Sequence, residues 1–109
     1  MRVISKKSFT QETTLSLFRK AVYTVVSKIP KGAVMTYAEV AKKMGNPLAV
    51  RAVGTTLSKN CFLDVPCHRV VRSDGSIGEY AFGGPKAKGK RLLEEGIQVD
   101  KNGRVAFPS

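Results

Sequence analysis

Between Thr14 and Ile29, apolar residues fall at three- and four-residue intervals, at Leu15, Phe18, Val22, Val25, Val26 and Ile29, and this spacing predicts an amphipathic helix. Pro30-Lys31-Gly32 stops it. Thr36-Tyr37-Ala38-Glu39 has the capping-box form, a threonine followed three residues later by a glutamate, and opens a short helix that Gly45 closes. Asn46-Pro47 reads as the N-cap and first-turn proline of another helix reaching about Ser58. On that helix Ala49, Val53 and Leu57 form a core stripe, while Arg51, Thr55 and Lys59 face outward. Two short helices joined by a tight Gly-Asn-Pro turn predict a helix-turn-helix.

The pattern then changes period. Val65 to Val71 reads as a strand, and Ser73-Asp74-Gly75-Ser76 as a turn into a second short strand near Ile77. Gly78 to Gly84 mixes glycine with Tyr80 and Phe82 and reads as a shaped loop. Pro85 to Glu95 is predicted as a last helix ended by Gly96, and Ile97 to Phe107 as a terminal hairpin or tail around Asn102-Gly103. Met1 to Ser8, polar and basic, is a short strand or a loose arm. The expectation is one mostly helical α/β domain over residues 1–109, winged-helix-like, with a leader (1–13), a core (14–96) and a tail (97–109).

Composition narrows this further. A chain of 109 residues with 42% hydrophobic content builds one core and has no room for a separate cofactor-binding domain. No apolar run approaches the ~20 residues that span a bilayer, and no signal-peptide core follows the N-terminus, so a soluble, cytoplasmic protein is expected. Nineteen Lys and Arg against eight Asp and Glu give a formal net charge of +11. A solvated basic surface or a thermophile's ionic surface is the plain reading, but thermophile surfaces pair both signs, and nucleic acid is the partner this excess favours. Two cysteines and one histidine without a CxxC pair do not make a structural zinc site, so no metal is expected, and a cytosolic setting would leave both thiols free.

The candidate chemistry lies in Val65-Pro66-Cys67-His68-Arg69-Val70-Val71, where the only histidine adjoins a thiol. An inert buried cysteine and a nucleophile activated by its neighbour both fit that pair. Successive strand side chains point to opposite faces, so a base at His68 would reach Cys67 through a turn or a bridging water. Arg51, set among the small apolar residues Ala49, Val50, Ala52 and Gly54, is either a solvated surface arginine or one that meets phosphate, a base edge or the base stack.

The cysteine motif resembles that of the O6-alkylguanine-DNA alkyltransferases. The likeness extends through Ile29-Pro30-Lys31-Gly32, Thr36-Tyr37, Gly45-Asn46-Pro47, Arg51-Ala52-Val53-Gly54, Asn60, Gly78 with Tyr80, Gly83-Gly84 and Leu92-Leu93-Glu94-Glu95-Gly96, in family order. The resemblance implies stoichiometric repair of O6-alkylguanine in double-stranded DNA by a monomer that needs no cofactor. Cys67 would be the alkyl acceptor, His68 its base through a water, and Glu95 the group that orients His68. Asn60 would be the hinge between recognition helix and acceptor segment. Tyr37 would crowd the target phosphate, and Arg51 would replace the extruded base, with Val50, Ala52, Gly54 and Thr55 beside it on the DNA. Tyr37, Val65, Pro66, Val70, Tyr80 and Ala81 would wall the pocket.

The chain departs from the family pattern in three places. It resembles the catalytic domain alone. The segment Asn60-Cys61-Phe62-Leu63-Asp64 is one residue shorter than usual and has Asp64 where apolar residues are common. Ala81 stands where a small hydroxyl residue is common, and Phe82 is inserted after it. The size also resembles the alkyltransferase-like proteins, which bind the lesion without repairing it and carry tryptophan or another residue at the acceptor position; this chain has Cys67 and no tryptophan. A helix-turn-helix regulator with a structural or redox-sensing thiol is the other alternative.

Overall fold

In the computed structural model, which describes residues 8–11, 15–78 and 80–105, the first helix starts where a side chain can cap it. Ser16 Oγ accepts from the Arg19 N–H at 3.2 Å, and α1 runs Leu17–Ser27, later than the periodicity from Thr14 implied. Its inner face buries Val22, Tyr23 and Val26, with Ile29 following just beyond the helix. Tyr23, outside the predicted stripe, is buried among aromatic partners: Phe9 and Phe62 each stand edge-on to its ring at 5.8 Å between centroids. Phe9 belongs to a short 3-10 turn, Phe9–Gln11. The arm expected over Met1–Ser8 lies, apart from Ser8, outside the described residues.

Met35–Thr36 form β1, and Thr36 then caps α2, Tyr37–Lys43. The capping box is formed as predicted: the Glu39 N–H donates to Thr36 Oγ1 at 3.0 Å and the Thr36 N–H to Glu39 Oε1 at 2.9 Å. Gly45 follows at φ +83°, a left-handed position that glycine adopts without strain. The next helix corrects the prediction, because Asn46-Pro47 does not cap it. The Ala49 N–H instead closes a turn onto the Asn46 carbonyl at 3.0 Å, and α3 runs Val50–Ser58 from Ala49 without a side-chain cap. α2 and α3 pack on each other and on α1, sealing Val40, Ala41, Val53 and Leu57, each worth about 1.5–3 kcal/mol for the larger aliphatic side chains.

A second correction concerns the segment Val65–Val71. It is not one strand: Cys67–Arg69 form a 3-10 turn, in which the Arg69 N–H donates to the Pro66 carbonyl at 2.9 Å, and only Val70–Val71, β2, are extended. Pro66 has no N–H for a ladder, and the local turn bond replaces one. β2 pairs in parallel with β1, Met35 opposite Val70 and Thr36 opposite Val71. The pairing therefore ties the turn that carries Cys67 to the entrance of the helix-turn-helix.

The last helix, α4, spans Gly84–Glu94 with Pro85 in its first turn. The Asp74 turn and the terminal hairpin both form, through antiparallel bridges Ser76–Arg104 and Val99–Val105, and with Leu92 they enclose a second small core of Val71, Ile77 and Val105. Residues 106–109 of the predicted tail, and Glu79 in the shaped loop, lie outside the described residues. The result is a mostly helical α/β domain, and among the described residues no helix is long and apolar enough to cross a membrane.

Candidate functional site

Cys67 and His68 are placed by the 3-10 turn rather than by a strand, and both are buried, at 5% and 2% exposure. Asn60, fully buried just beyond α3, organises the approach to the thiol. Its Nδ2 donates to the carbonyls of Phe62 and Val65 at 3.1 and 3.3 Å and to Cys67 Sγ at 3.5 Å, while the Phe62 N–H donates to its Oδ1 at 2.9 Å. Burial pushes the Cys67 thiol above its ordinary value; the Asn60 bond, the Lys88 charge and the backbone N–H of Ala81 oppose this without reversing it. The thiol is therefore protonated at neutral pH and needs a base.

His68 has the properties of such a base. Its Nε2 lies 3.0 Å from Glu95 Oε2, and burial holds its basicity below the usual histidine value against the carboxylate's pull, so the ring is neutral at pH 7. With Nε2–H donating to the carboxylate, Nδ1 is the free acceptor.

Glu95 is not held by His68 alone. Arg69 Nε donates to Oε1 at 2.9 Å and a terminal Arg69 nitrogen to Oε2 at 2.7 Å, while the other terminal nitrogen reaches the Ile29 carbonyl at 2.8 Å. The fork of the Arg69 guanidinium holds the Glu95 carboxyl down at about 2, so it stays ionised at any physiological pH. Arg69 was not among the residues singled out from sequence, although its place directly after His68 was a usable signal.

Lys88 was also missed. On α4 it reads as a solvated lysine, yet it is fully buried, donates to Tyr37 Oη at 3.2 Å and lies 5.5 Å from the Tyr37 ring centroid. Gly78, beside Tyr37 Oη and the Arg72 side chain, has φ +71°, a left-handed backbone that glycine adopts without strain.

One cavity adjoins the thiol turn, and two grooves lie along α3. A cavity of about 220 Å³ is lined by Val65, Pro66, His68, Tyr80, Phe82 and Arg91, and Cys67 is not among its lining residues. Within it Tyr80 and Phe82 meet edge to face at 5.7 Å, and Arg91 donates to Tyr80 Oη at 3.2 Å. Tyr37 lies apart from that wall, in an open groove of about 700 Å³ with Val50, Arg51, Gly54, Thr55 and Arg72. A second groove, about 570 Å³, opens on the other side of α3 beside Arg19, Leu48 and Ala52, and Arg51 borders both.

The structure thus gathers Cys67, His68, Glu95 and Asn60 at one place, and it sets Tyr37, Val50, Arg51, Ala52, Gly54 and Thr55 along α3 and the α2 entrance. The expected pocket set is divided. Val65, Pro66 and Tyr80 share the smaller cavity; Val70 is fully buried in the β1–β2 pair; Ala81 lies against the core and reaches Cys67 through its backbone.

The profile of the 6-O-methylguanine DNA methyltransferase, DNA binding domain, matches residues 17–97. A methylated-DNA–protein-cysteine methyltransferase from Methanothermobacter thermautotrophicus is 48% identical over 85 residues, covering 76% of this chain and 46% of that protein. Among solved structures, the Mycobacterium tuberculosis OGT–DNA complex aligns with a TM-score of 0.71 and 35% identity, over 74% of this chain and 50% of that one. Schizosaccharomyces pombe Atl1 bound to damaged DNA containing O6-carboxymethylguanine aligns with a TM-score of 0.70 and 32% identity, over 88% of this chain and 93% of that one. The chain spans about half the length of the first of these, and nearly the whole of the last.

Proposed function

The chain belongs to the 6-O-methylguanine DNA methyltransferase family, and from that premise we propose that it repairs O6-alkylguanine in double-stranded DNA by irreversible transfer of the alkyl group to Cys67. The observation that carries the reading is a buried thiol adjoining a neutral histidine whose ring is fixed by an ionised carboxylate. His68 takes the thiol proton through a water, and the thiolate attacks the alkyl carbon. The S–C bond forms, the C–O6 bond breaks, and its electron pair leaves with guanine, which takes up a proton. No cofactor enters, and because the thioether is not cleaved each molecule acts once.

On the DNA side, Arg51 takes the place of the extruded nucleotide, Val50, Ala52, Gly54 and Thr55 face the groove, and Tyr37 crowds the target phosphate. The exposure of Arg51 between two grooves and the small residues beside it support this assignment. The formal charge of +11 supports a polyanionic partner. Tyr37, Val65, Pro66, Val70, Tyr80 and Ala81 are assigned to the alkylated base, and the 220 Å³ cavity that Val65, Pro66 and Tyr80 share supports the assignment of those three. The match to nearly all of Atl1 favours lesion binding without transfer as the second reading.

The deciding experiment is mass spectrometry after incubation with duplex DNA containing O6-methylguanine. One methyl increment per molecule is expected, and Cys61 and Cys67 share the tryptic peptide Asn60–Arg69, so fragmentation must assign it to Cys67. Tight lesion binding with no increment would replace repair by sensing. Arg51→Ala is expected to slow reaction with the duplex lesion at least tenfold more than reaction with the free modified base, because flipping costs a few kcal/mol. Equal losses on both substrates would remove Arg51 from that role.

A further inference from the structure

The shortened segment before the thiol, with Asp64 at its end, is held by the start of the chain. Ser8 Oγ donates to Asp64 Oδ2 at 2.6 Å, and the Phe9 N–H donates to Asp64 Oδ1 at 3.4 Å, so one carboxylate caps the open end of the Phe9–Gln11 turn. Ser8 is itself fixed, its N–H donating to Gln11 Oε1 at 3.1 Å and its Oγ accepting from the Thr10 N–H at 3.2 Å. Next to this polar contact Phe9, 5% exposed, packs on Tyr23, and Tyr23 packs on Phe62. The leader therefore grips the 60–65 segment directly at Asp64 and, through the Tyr23 ring of α1, bears on Phe62.

Both points lead to the thiol through Asn60. The Phe62 N–H and carbonyl and the carbonyl of Val65, the residue after Asp64, are all Asn60 partners, and Asn60 Nδ2 contacts Cys67 Sγ. We propose that Ser8, Phe9 and Asp64 form a clamp that positions the acceptor thiol, with Asp64 as the positioning residue. The proposal rests on the reading of Cys67 as acceptor, and it assigns a task to the acidic residue that departs from the family pattern.

The test uses the full chain with Asp64→Ala, Asp64→Asn and Ser8→Ala. Two quantities are compared with the unaltered protein: hydrogen exchange of the Asn60 side-chain amide by NMR, and the single-turnover methyl-transfer rate at saturating DNA alongside Kd for the DNA. Asp64→Ala is expected to raise Asn60 amide exchange and lower the transfer rate at least tenfold, as misplacement of a reacting group does, with Kd within twofold. Asp64→Asn keeps an oxygen for Ser8 and should recover the rate to within threefold. A simple loss of stability would not divide rate from Kd in this way.

Unchanged exchange and rate in Asp64→Ala would overturn the clamp, as would faster exchange with an unchanged rate. Should Asp64→Ala fail to fold, Ser8→Ala removes the 2.6 Å bond to Asp64, together with the exposed local contacts of Ser8 Oγ to Thr10, and reads the same quantities; no change there overturns the proposal equally. The exchange measurement needs no lesion. Faster exchange in a protein that transfers no methyl group even unaltered would therefore sink the repair reading and leave the grip on Asn60 standing.

Discussion

Glu95→Gln is expected to slow methyl transfer by about two to four orders of magnitude, although the side chain keeps its size. Glu95 gives both oxygens to Arg69 and one of them to His68. An amide has one oxygen and one NH2 group. Either placement points N–H at an Arg69 donor, and placing nitrogen at the Oε2 position also pushes His68 into the tautomer with the proton on Nδ1, where it cannot take one from the thiol.

The same change leaves Arg69, 16% exposed, without its counter-charge, and should cost roughly 3 kcal/mol of stability in urea titration. The pH dependence carries a sign. In the unaltered protein the rate falls as His68 protonates, below the ordinary value of 6.5 because burial outweighs the carboxylate. Without the Glu95 charge the His68 midpoint drops further, so the acid limb of whatever rate remains moves to lower pH. A rate within fivefold of the unaltered protein, or an acid limb displaced upward, would rule out this role for Glu95.

Asn60→Ala should cost about as much stability as Glu95→Gln. It orphans the buried Phe62 N–H and takes a donor from two carbonyls and a sulfur, at a side chain with no exposure at all. An unsatisfied buried group costs about 1–3 kcal/mol, so roughly 3 kcal/mol is expected in total. At about 4–8 °C per kcal/mol for a domain of this size, the melting midpoint should fall by roughly 12–24 °C. Thermal melting followed by circular dichroism checks this; a fall under about 5 °C would mean that water or a shifted chain replaces Asn60 fully.

The helices were legible because their signals are local. The Thr36–Glu39 capping box needs only four residues, and Val22, Val26, Val53 and Leu57 announce a buried face by spacing alone. The errors occurred where a local signal competed with a tertiary one. Asn46-Pro47 carries the residues of a helix start, but the chain there first closes a turn onto the Asn46 carbonyl, and the helix begins at Val50. Val65, Val70 and Val71 read as one β-prone run, and nothing in their spacing reveals that Pro66 diverts the middle into a 3-10 turn. That turn, not a strand, carries Cys67 and His68.

At the site itself the reacting types, thiol, imidazole and carboxylate, were recognisable as chemistry. Their supports were not. Arg69 and Lys88 are cations in a chain with nineteen of them, and only the tertiary fold brings one to Glu95 and the other to Tyr37. The Ser8–Asp64 contact joins positions 56 apart, beyond the reach of any periodicity.

The parallel pair of Met35–Thr36 with Val70–Val71 bears on how the molecule is made. Its two strands lie 35 positions apart, and parallel neighbours cannot be joined by a tight turn, so the whole helix-turn-helix has to be spooled between them before the pair can close. Contacts that close long loops form late, after local helices have condensed. A chain that ends at Asn60 thus already encodes the helix pair and lacks Cys67 altogether. Closing the pair is what joins the turn that carries Cys67 to the entrance of that helix pair.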